Sequence, residues 1–443
     1  MGKRTHLLMD WGATRVKCAL FEVGSDKLLH VRNFDNLLNI SKIPGRYEIS
    51  AIKLQKMFLK ICNEYWKIKK YESVHFCSQM HGFILLNENG QLISNYVTWQ
   101  DERSLEVDSN GDSIFSVITQ EIKDDYKEIS GMKPRPSLPF FNIISYCRDH
   151  KIKGQIKVAT LADWFALVHK DSSCLAHDTL LAGLGFYDIK EKIISDKLLK
   201  LSKKYTGCDF VFNDSTNNYK QISGYMSFNK IKIPIHVGLG DLQCALFGAD
   251  NKVEKNLSIN IGTGSQVSLV KKNIGAPRSA HDYRPYFNNN FLWTFSHIPA
   301  GRVLNKYADF FNEISGGRCN LWKEISSLSL RDLEKSEILF DLNLFPSAFN
   351  YQGGGLISGL REQNFNKSMF ISSLVRSFLD QYIFISADLS GHKKYDCKIS
   401  GGIPLRYPLI KKYFEKNLKC AKKIIVRKEC DETLLGLKNM IKI

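Results

Sequence analysis

The chain has 443 residues, of which 44% are apolar and 24% charged, enough for two or three domains with cores of their own. That balance excludes a mainly disordered chain, a collagen-like chain and a small disulfide scaffold, and no stretch approaches the roughly 18 unbroken apolar residues that a membrane helix needs. The net charge of +17 comes from 62 Lys and Arg against 45 Asp and Glu; Lys outnumbers Arg by 46 to 16 and is spread along the whole chain. Sequence-specific nucleic-acid readers lean on the bidentate Arg fork. The charge therefore reads as a solvated Lys-rich surface, which also favours an anionic ligand such as a nucleotide. Met1–Asp10 is too short for a signal peptide, and the expected compartment is the cytoplasm. Eleven cysteines, with no C-x-x-C pair and no Cys/His spacing suited to zinc, are expected to be free buried thiols.

In chain order, His6–Asp10, the turn Trp11–Arg15 and then Val16–Val23 read as strand, tight turn, strand. Apolar spacing (Ile52, Leu54, Met57, Phe58, Ile61, Trp66) predicts a helix over 51–70, followed by a strand over Ser73–Cys77. Asn89-Gly90, between the apolar runs 82–86 and 91–93, predicts a hairpin. A Pro-rich loop over 134–139 precedes a helix over 140–148, and a basic amphipathic helix is predicted over 190–205. The pattern restarts near 233–241, so the boundary is placed between 234 and 235. There the first design returns: the strand Asn256–Asn260, the turn Ile261–Ser265 and the strand Gln266–Val270. A helix over 367–392, a Gly-Gly turn at 401–402, a basic helix over 405–420, a strand over 423–426 and a last helix from Asp431 complete the chain. Strands and helices alternate throughout, which is the α/β class.

Both hairpin turns end an apolar strand in a short polar residue, Asp10 or Asn260, with Gly12 or Gly262 two positions on and Thr14 or Thr263 close behind. Glycine turns expose backbone N–H groups that cradle phosphate oxygens. Lys17 adds a point charge to the first turn, and Asp10 suits Mg²⁺ held through water. Asp241 follows a strand-ending Gly and opens an apolar helix, where a carboxylate can take a proton from an attacking hydroxyl; an N-cap is the plainer reading of the same position. Gln79, Met80 and His81 at one end of the predicted hairpin, with Trp99, Asp101 and Arg103 at the other, suit a polyhydroxylated ligand: hydrogen bonds at its edges and an aromatic face against its carbons.

These residues resemble the FGGY carbohydrate kinases, of the actin-like and hexokinase-like ATPases, in order along nearly the whole chain. Met9–Lys17 is similar to the family's first phosphate motif. Gln79–Gly82 and Trp99–Arg103 resemble its sugar segments, and His177–Asp188 a further substrate-side segment. Gly240–Gln243 is similar to the segment of the catalytic Asp, Asn260–Ser265 to the second phosphate motif, Ser400–Leu405 to the adenosine motif and Asp431–Gly436 to the closing helix. Within the family, Val97–Asp101, Leu239–Gln243 and Gln266–Leu269 are in the style of the sedoheptulokinases, whereas Gln79–Gly82 is shared with xylulokinases. Ala13 stands where the first motif usually has Thr, Gly264-Ser265 alters the second motif, and 345–355 lacks a Gly-Glu-Arg common in the family.

The resemblance implies two ribonuclease-H-like domains flanking a central cleft, 1–234 on the sugar side and 235–443 on the nucleotide side. It implies transfer of the ATP γ-phosphoryl group to a ketose, sedoheptulose or else a pentulose such as xylulose. Asp241 would be the base, and Gln79, Met80, His81, Trp99, Asp101, Arg103 and Asp178 would meet the sugar. Gly12, Thr14, Lys17, Gly262, Thr263 and Gly264 would meet phosphates, Gly401 and Gly402 the adenosine, and Asp10 the Mg²⁺. The expected partners are small molecules, with no nucleic acid or membrane, and the expected state is a monomer or homodimer. A two-metal nuclease would need more clustered carboxylates than Asp10 and Asp241 supply; a catalytically silent sugar and nucleotide binder is the other rival.

Overall fold

The structure is a computed structural model that describes residues 4–25, 27–167, 175–228, 230–275, 280–346, 348–349, 351–391, 393–428 and 431–442. The chain divides into two compact units: Met1–Asp250 with Tyr283–Phe291 and Asp431–Ile443, and Asn251–Asp282 with Leu292–Cys430.

The first unit is built on a mixed sheet. Its strands are β1 (Thr5–Trp11), β2 (Arg15–Glu22), β3 (Leu28–Asp35), β4 (Ser73–Ser78), β5 (Ile222–Phe228), β6 (Ile231–His236) and β7 (Leu239–Gly240). The order is β5-β6-β4-β1-β2-β3, with β7 also pairing β4. β1 runs antiparallel to β2 and parallel to β4. β1 is buried along its whole length, as a strand covered on both faces must be. Helix α1 (Ala51–Ile68) is capped by Ser50, whose side chain accepts from the Lys53 N–H, and buries Leu54, Phe58, Ile61 and Tyr65. Helix α2 (Asp241–Gly248) follows β7.

The second unit repeats the plan with β8 (Asn256–Ile261), β9 (Ser265–Lys271), β10 (Phe291–Ile298), β11 (Tyr395–Ser400) and β12 (Ala421–Val426), in the order β10-β9-β8-β11-β12. Again the first strand is antiparallel to the second and parallel to the strand on its other side. Helix α3 (Lys367–Ser390) ends at Gly391 in the left-handed conformation and buries Leu374, Phe378 and Tyr382. Helix α4 (Gly402–Arg406) follows β11. Helix α5 (Glu432–Lys442) returns to the first unit.

The structure corrects several expectations. The boundary at 234/235 falls inside the first unit, because β6 joins the first sheet and β7 pairs with β4. The predicted helix over 190–205 begins only at Asp196, since Ile193–Ile194 pairs with Tyr187–Asp188 as a short ribbon. The predicted helix over 405–420 is broken at Tyr407, where Pro408 starts a new helix to Asn417. The Asn89-Gly90 turn forms, but its return is a single bridge, Leu86 to Leu92. Nine cysteines are free and buried among the described residues; Cys174 and Cys430 lie outside them. No helix among the described residues is long and apolar enough to cross a membrane.

One feature of the first sheet makes stability pH-dependent. His6 on β1, which is buried, and His75 on β4 and His236 on β6, which are half-buried, form one group: His75 stacks on His236 at 4.0 Å, and Ser73 Oγ bridges His6 Nδ1 and His75 Nε2 at 2.8 Å each. Burial pushes His6 down to about 4 and holds the other two below their ordinary value. Below pH 6.5 these imidazoles therefore bind more protons in the unfolded chain than in the folded one, and their contribution to stability falls as pH falls, while the Asp241 carboxyl, raised to about 7, acts in the opposite sense. The loss from His6 alone is about 2 kcal/mol by pH 5. We expect the melting temperature of His6→Gln, relative to its own value at pH 7, to hold up better than that of the wild type between pH 6.5 and 5; identical pH profiles of the two proteins would contradict the assignment.

Candidate active site

Two carboxylates leave strand ends on either side of β4. Asp10 lies near the end of β1, opposite Cys77 of β4 and Lys17 of β2. Asp241 follows β7, which pairs with β4 at Cys77 and Ser78. Asp10 is buried; its Oδ2 accepts from Thr433 Oγ1 at 2.6 Å and its Oδ1 from the Cys77 thiol at 3.7 Å. Burial raises the Asp10 carboxyl, and the Thr433 hydrogen bond and Lys17 oppose that rise.

Asp241 is the first helical residue; the N-cap is Gly240, so the capping reading does not hold. Its Oδ1 accepts from the Leu242 N–H at 2.7 Å. Burial first, then the neighbouring Asp10 charge, push its carboxyl up to about 7, with the Leu242 N–H and Arg284 opposing. Near neutral pH such a group exchanges a proton readily.

The sugar-side residues divide. Gln79 is buried, and neither atom of its carboxamide has a hydrogen-bond partner among the described residues. A buried amide left so is a group waiting for a ligand or water. His81 sits at φ 59, a strained value for a non-Gly residue, with Nδ1 2.9 Å from the Gly183 carbonyl oxygen. Met80 Sδ would lie 3.1 Å from a Cβ on Gly240, which places the thioether beside the start of α2. Trp99 is half-buried.

Asp101 and Arg103 differ from expectation. Both are fully buried, and their polar groups are largely taken up by the protein itself, Arg103 Nη1 alone of them having no hydrogen-bond partner among the described residues. Arg103 donates to both Asp101 oxygens at 2.8 Å and to Glu48 Oε1 at 2.7 Å, and Asp101 Oδ2 also accepts from the Tyr47 N–H at 2.7 Å. The pair holds the 47–48 segment in place. Asp178 accepts from Ser215 Oγ and lines a small cavity with Tyr187, Lys192, Asn217 and Asn289.

The two glycine turns match in design. In the first, the Gly12 N–H donates to the Arg15 carbonyl at 3.1 Å, Asn36 braces the turn through the Gly12 carbonyl at 2.8 Å, and Thr14 is exposed. In the second, the Gly262 N–H donates to the Gly264 carbonyl at 3.1 Å, with Thr263 and Gly264 exposed. Gly262, Thr263 and Gly402 line one cavity of about 290 Å³ with Gly301, Asn305 and Trp322. Gly401, at φ 101, has its Cα packed so closely on Ile261 that a Cβ would meet its carbonyl oxygen at 2.2 Å; a Cβ on Gly402 would meet nothing within 4 Å.

A family model for the N-terminal domain of the FGGY family of carbohydrate kinases matches residues 5–248. The chain belongs to that family. No curated protein sequence matches this kinase. Its fold is shared with solved structures of low identity. A gluconate kinase from Lactobacillus acidophilus is 16% identical, with 99% of this chain and 89% of that one covered and a TM-score of 0.80. A ligand-bound xylulose kinase from Lactobacillus acidophilus is 15% identical, over 99% and 88%, at 0.78. The Plasmodium falciparum glycerol kinase with ADP is 16% identical, over 99% and 89%, at 0.77. The mixed α/β architecture accords with two actin- or hexokinase-like domains.

The residue choice of this kinase also fits Mg²⁺. No group of three His, Cys, Asp or Glu among the described residues is set to hold a metal. Mg²⁺ in phosphoryl-transfer sites is held by one or two carboxylates together with substrate phosphates and waters, and Asp10 offers one carboxylate of the kind required. Sequence reasoning missed Thr433 and Tyr96. Tyr96 OH is buried without a partner among the described residues, and burial first, then the Asp241 charge, raise its phenol. Tyr96 stands in no motif, and Thr433 lies in the closing-helix segment without being singled out there; the role of each is seen only once the fold is known.

Proposed function

We propose that this kinase transfers the γ-phosphoryl group of ATP to a primary hydroxyl of a ketose, sedoheptulose giving sedoheptulose 7-phosphate. The observation that carries the reading is Asp241: a carboxylate at a strand end, raised to about 7 and within electrostatic reach of Asp10. As the hydroxyl oxygen bonds to the γ-phosphorus and ADP leaves, Asp241 takes the hydroxyl proton. Gln79, Met80 and His81 hold the sugar, with Trp99 packing nearby, and Asp178 meets a substrate hydroxyl from the cavity it lines. The turns at Gly12–Thr14 and Gly262–Gly264 meet phosphate oxygens through backbone N–H groups, with Lys17 adding charge. Asp10 would hold Mg²⁺, which when bound would neutralise charge on the transferring phosphates. Most of the rate comes from positioning and charge neutralisation.

Gly402 leaves room for the adenosine in the second unit, and Gly401 supports it by letting the chain pack closely on Ile261. Gly402→Leu places a side chain in open space and in the cavity, so folding tolerates it. We expect ADP affinity to fall at least about 10-fold with the melting temperature little changed; undiminished affinity, measured by calorimetry, would move the adenosine elsewhere.

The heptose rests on the segments Val97–Asp101, Leu239–Gln243 and Gln266–Leu269. Gln79–Gly82 favours xylulose as the second reading. The test is kcat/KM for sedoheptulose against xylulose. A preference for sedoheptulose of about 10-fold or more supports the first reading, since one unmet hydroxyl partner in a polar pocket costs at least that much. A preference for xylulose keeps the chemistry and replaces the substrate.

A further inference from the structure

We propose that the C-terminal helix α5 is a positioning device for the two carboxylates, and that Thr433 in its first turn holds Asp10 in its working rotamer. Three observations within the first unit carry this. Thr433 Oγ1 donates to Asp10 Oδ2 at 2.6 Å across 423 positions of sequence. Asp431, just before the helix, pairs with Lys17 at 3.6 Å, the residue opposite Asp10 on β2. The helix also crosses α2, which begins at Asp241, in direct backbone contact. A Cβ on Gly436 would lie 2.1 Å from the Cys244 carbonyl oxygen, and one on Gly248 would lie 1.9 Å from the Glu432 carbonyl oxygen. Neither position admits a side chain, so the two helices are locked at their closest approach.

One element thus touches both carboxylates, Asp10 through a side chain and Asp241 through the helix it opens. Among the described residues, the other oxygen of Asp10 has only a long thiol contact. A hydroxyl-to-carboxylate hydrogen bond is of the strong, charge-assisted kind, and it fixes a χ2 that is otherwise soft. Thr433 is a positioning residue: it acts through Asp10. The inference rests on the proposed roles of Asp10 and Asp241.

The test compares Thr433→Val, which keeps the shape and removes the donor, with Thr433→Ser, which keeps the donor. In Thr433→Val we expect kcat to fall about 10- to 100-fold with the ketose KM within about 2-fold, the scale of loss seen when a reacting group is misplaced by about 1 Å. The gain in ADP affinity on adding Mg²⁺, measured by calorimetry, should shrink in parallel. Thr433→Ser should restore most of both. Normal kcat and a normal Mg²⁺ gain in Thr433→Val would overturn the proposal, as would equal losses in both variants, since the methyl and not the hydroxyl would then be responsible. If Thr433→Val does not fold, Thr433→Ala against Thr433→Ser is read in the same way. If the wild type shows no ketose-dependent turnover, the functional reading fails, while the Mg²⁺-dependent ADP affinity still tests Thr433.

Discussion

Asp241→Asn is expected to reduce kcat by about 10³-fold, within the 10²- to 10⁴-fold that a positioned general base contributes, while sugar and nucleotide affinities change only a few-fold. Asn has the same shape, and its Oδ1 can still accept the Leu242 N–H that Asp241 accepts at 2.7 Å. What it lacks is a site for the hydroxyl proton. The pH profile carries the same information. Burial and the Asp10 charge set the Asp241 carboxyl at about 7, so the base form is lost as pH falls below that value. In the wild type, kcat/KM should fall on the acid side of about pH 7, and Asp241→Asn should lose that limb together with the rate. A variant with near-normal turnover would remove Asp241 from the chemistry.

The second large effect is on stability. Arg103→Met should cost about 3–5 kcal/mol, the usual result of removing one partner from a buried ion pair. Arg103 is fully buried, donates twice to Asp101 and once to Glu48, and lies over the Tyr146 ring at 5.0 Å. Met fills part of the volume but leaves the buried Asp101 carboxylate without its cation. At about 2–4 °C per kcal/mol for a unit of this size, the melting temperature should fall by roughly 10 °C. The double variant Arg103→Met, Asp101→Leu should recover part of the loss, because it removes the stranded charge as well. A single variant that melts with the wild type would show that the network contributes nothing, and would reopen a ligand role for Arg103.

The parts of the site written in local sequence were legible. Asp10-Trp-Gly and Asn260-Ile-Gly mark strand ends by themselves, because a short polar residue and a glycine after an apolar run leave few conformations open. The repeat of that signal reported the repeated sheet plan. Asp101 and Arg103 could not be read so far: the same side chains serve a ligand or each other, and only burial tells which. The domain boundary was misplaced because the apolar restart at 231–240 pairs back into the first sheet, a long-range choice that no local pattern encodes. Residues 190–195 kept helical spacing but formed a ribbon with 187–188, tertiary pairing overriding propensity. Thr433 was invisible for the plainest reason, its partner lying at the other end of the chain.

Whether this member of the FGGY family is an active sugar kinase is decided by ADP release from Mg-ATP in the presence of the purified protein. Release from Mg-ATP alone should be slow, with a large increase on adding sedoheptulose or xylulose. Calorimetry that finds ATP bound, with release unchanged by either ketose, would contradict this and leave a protein that binds its ligands without turning them over.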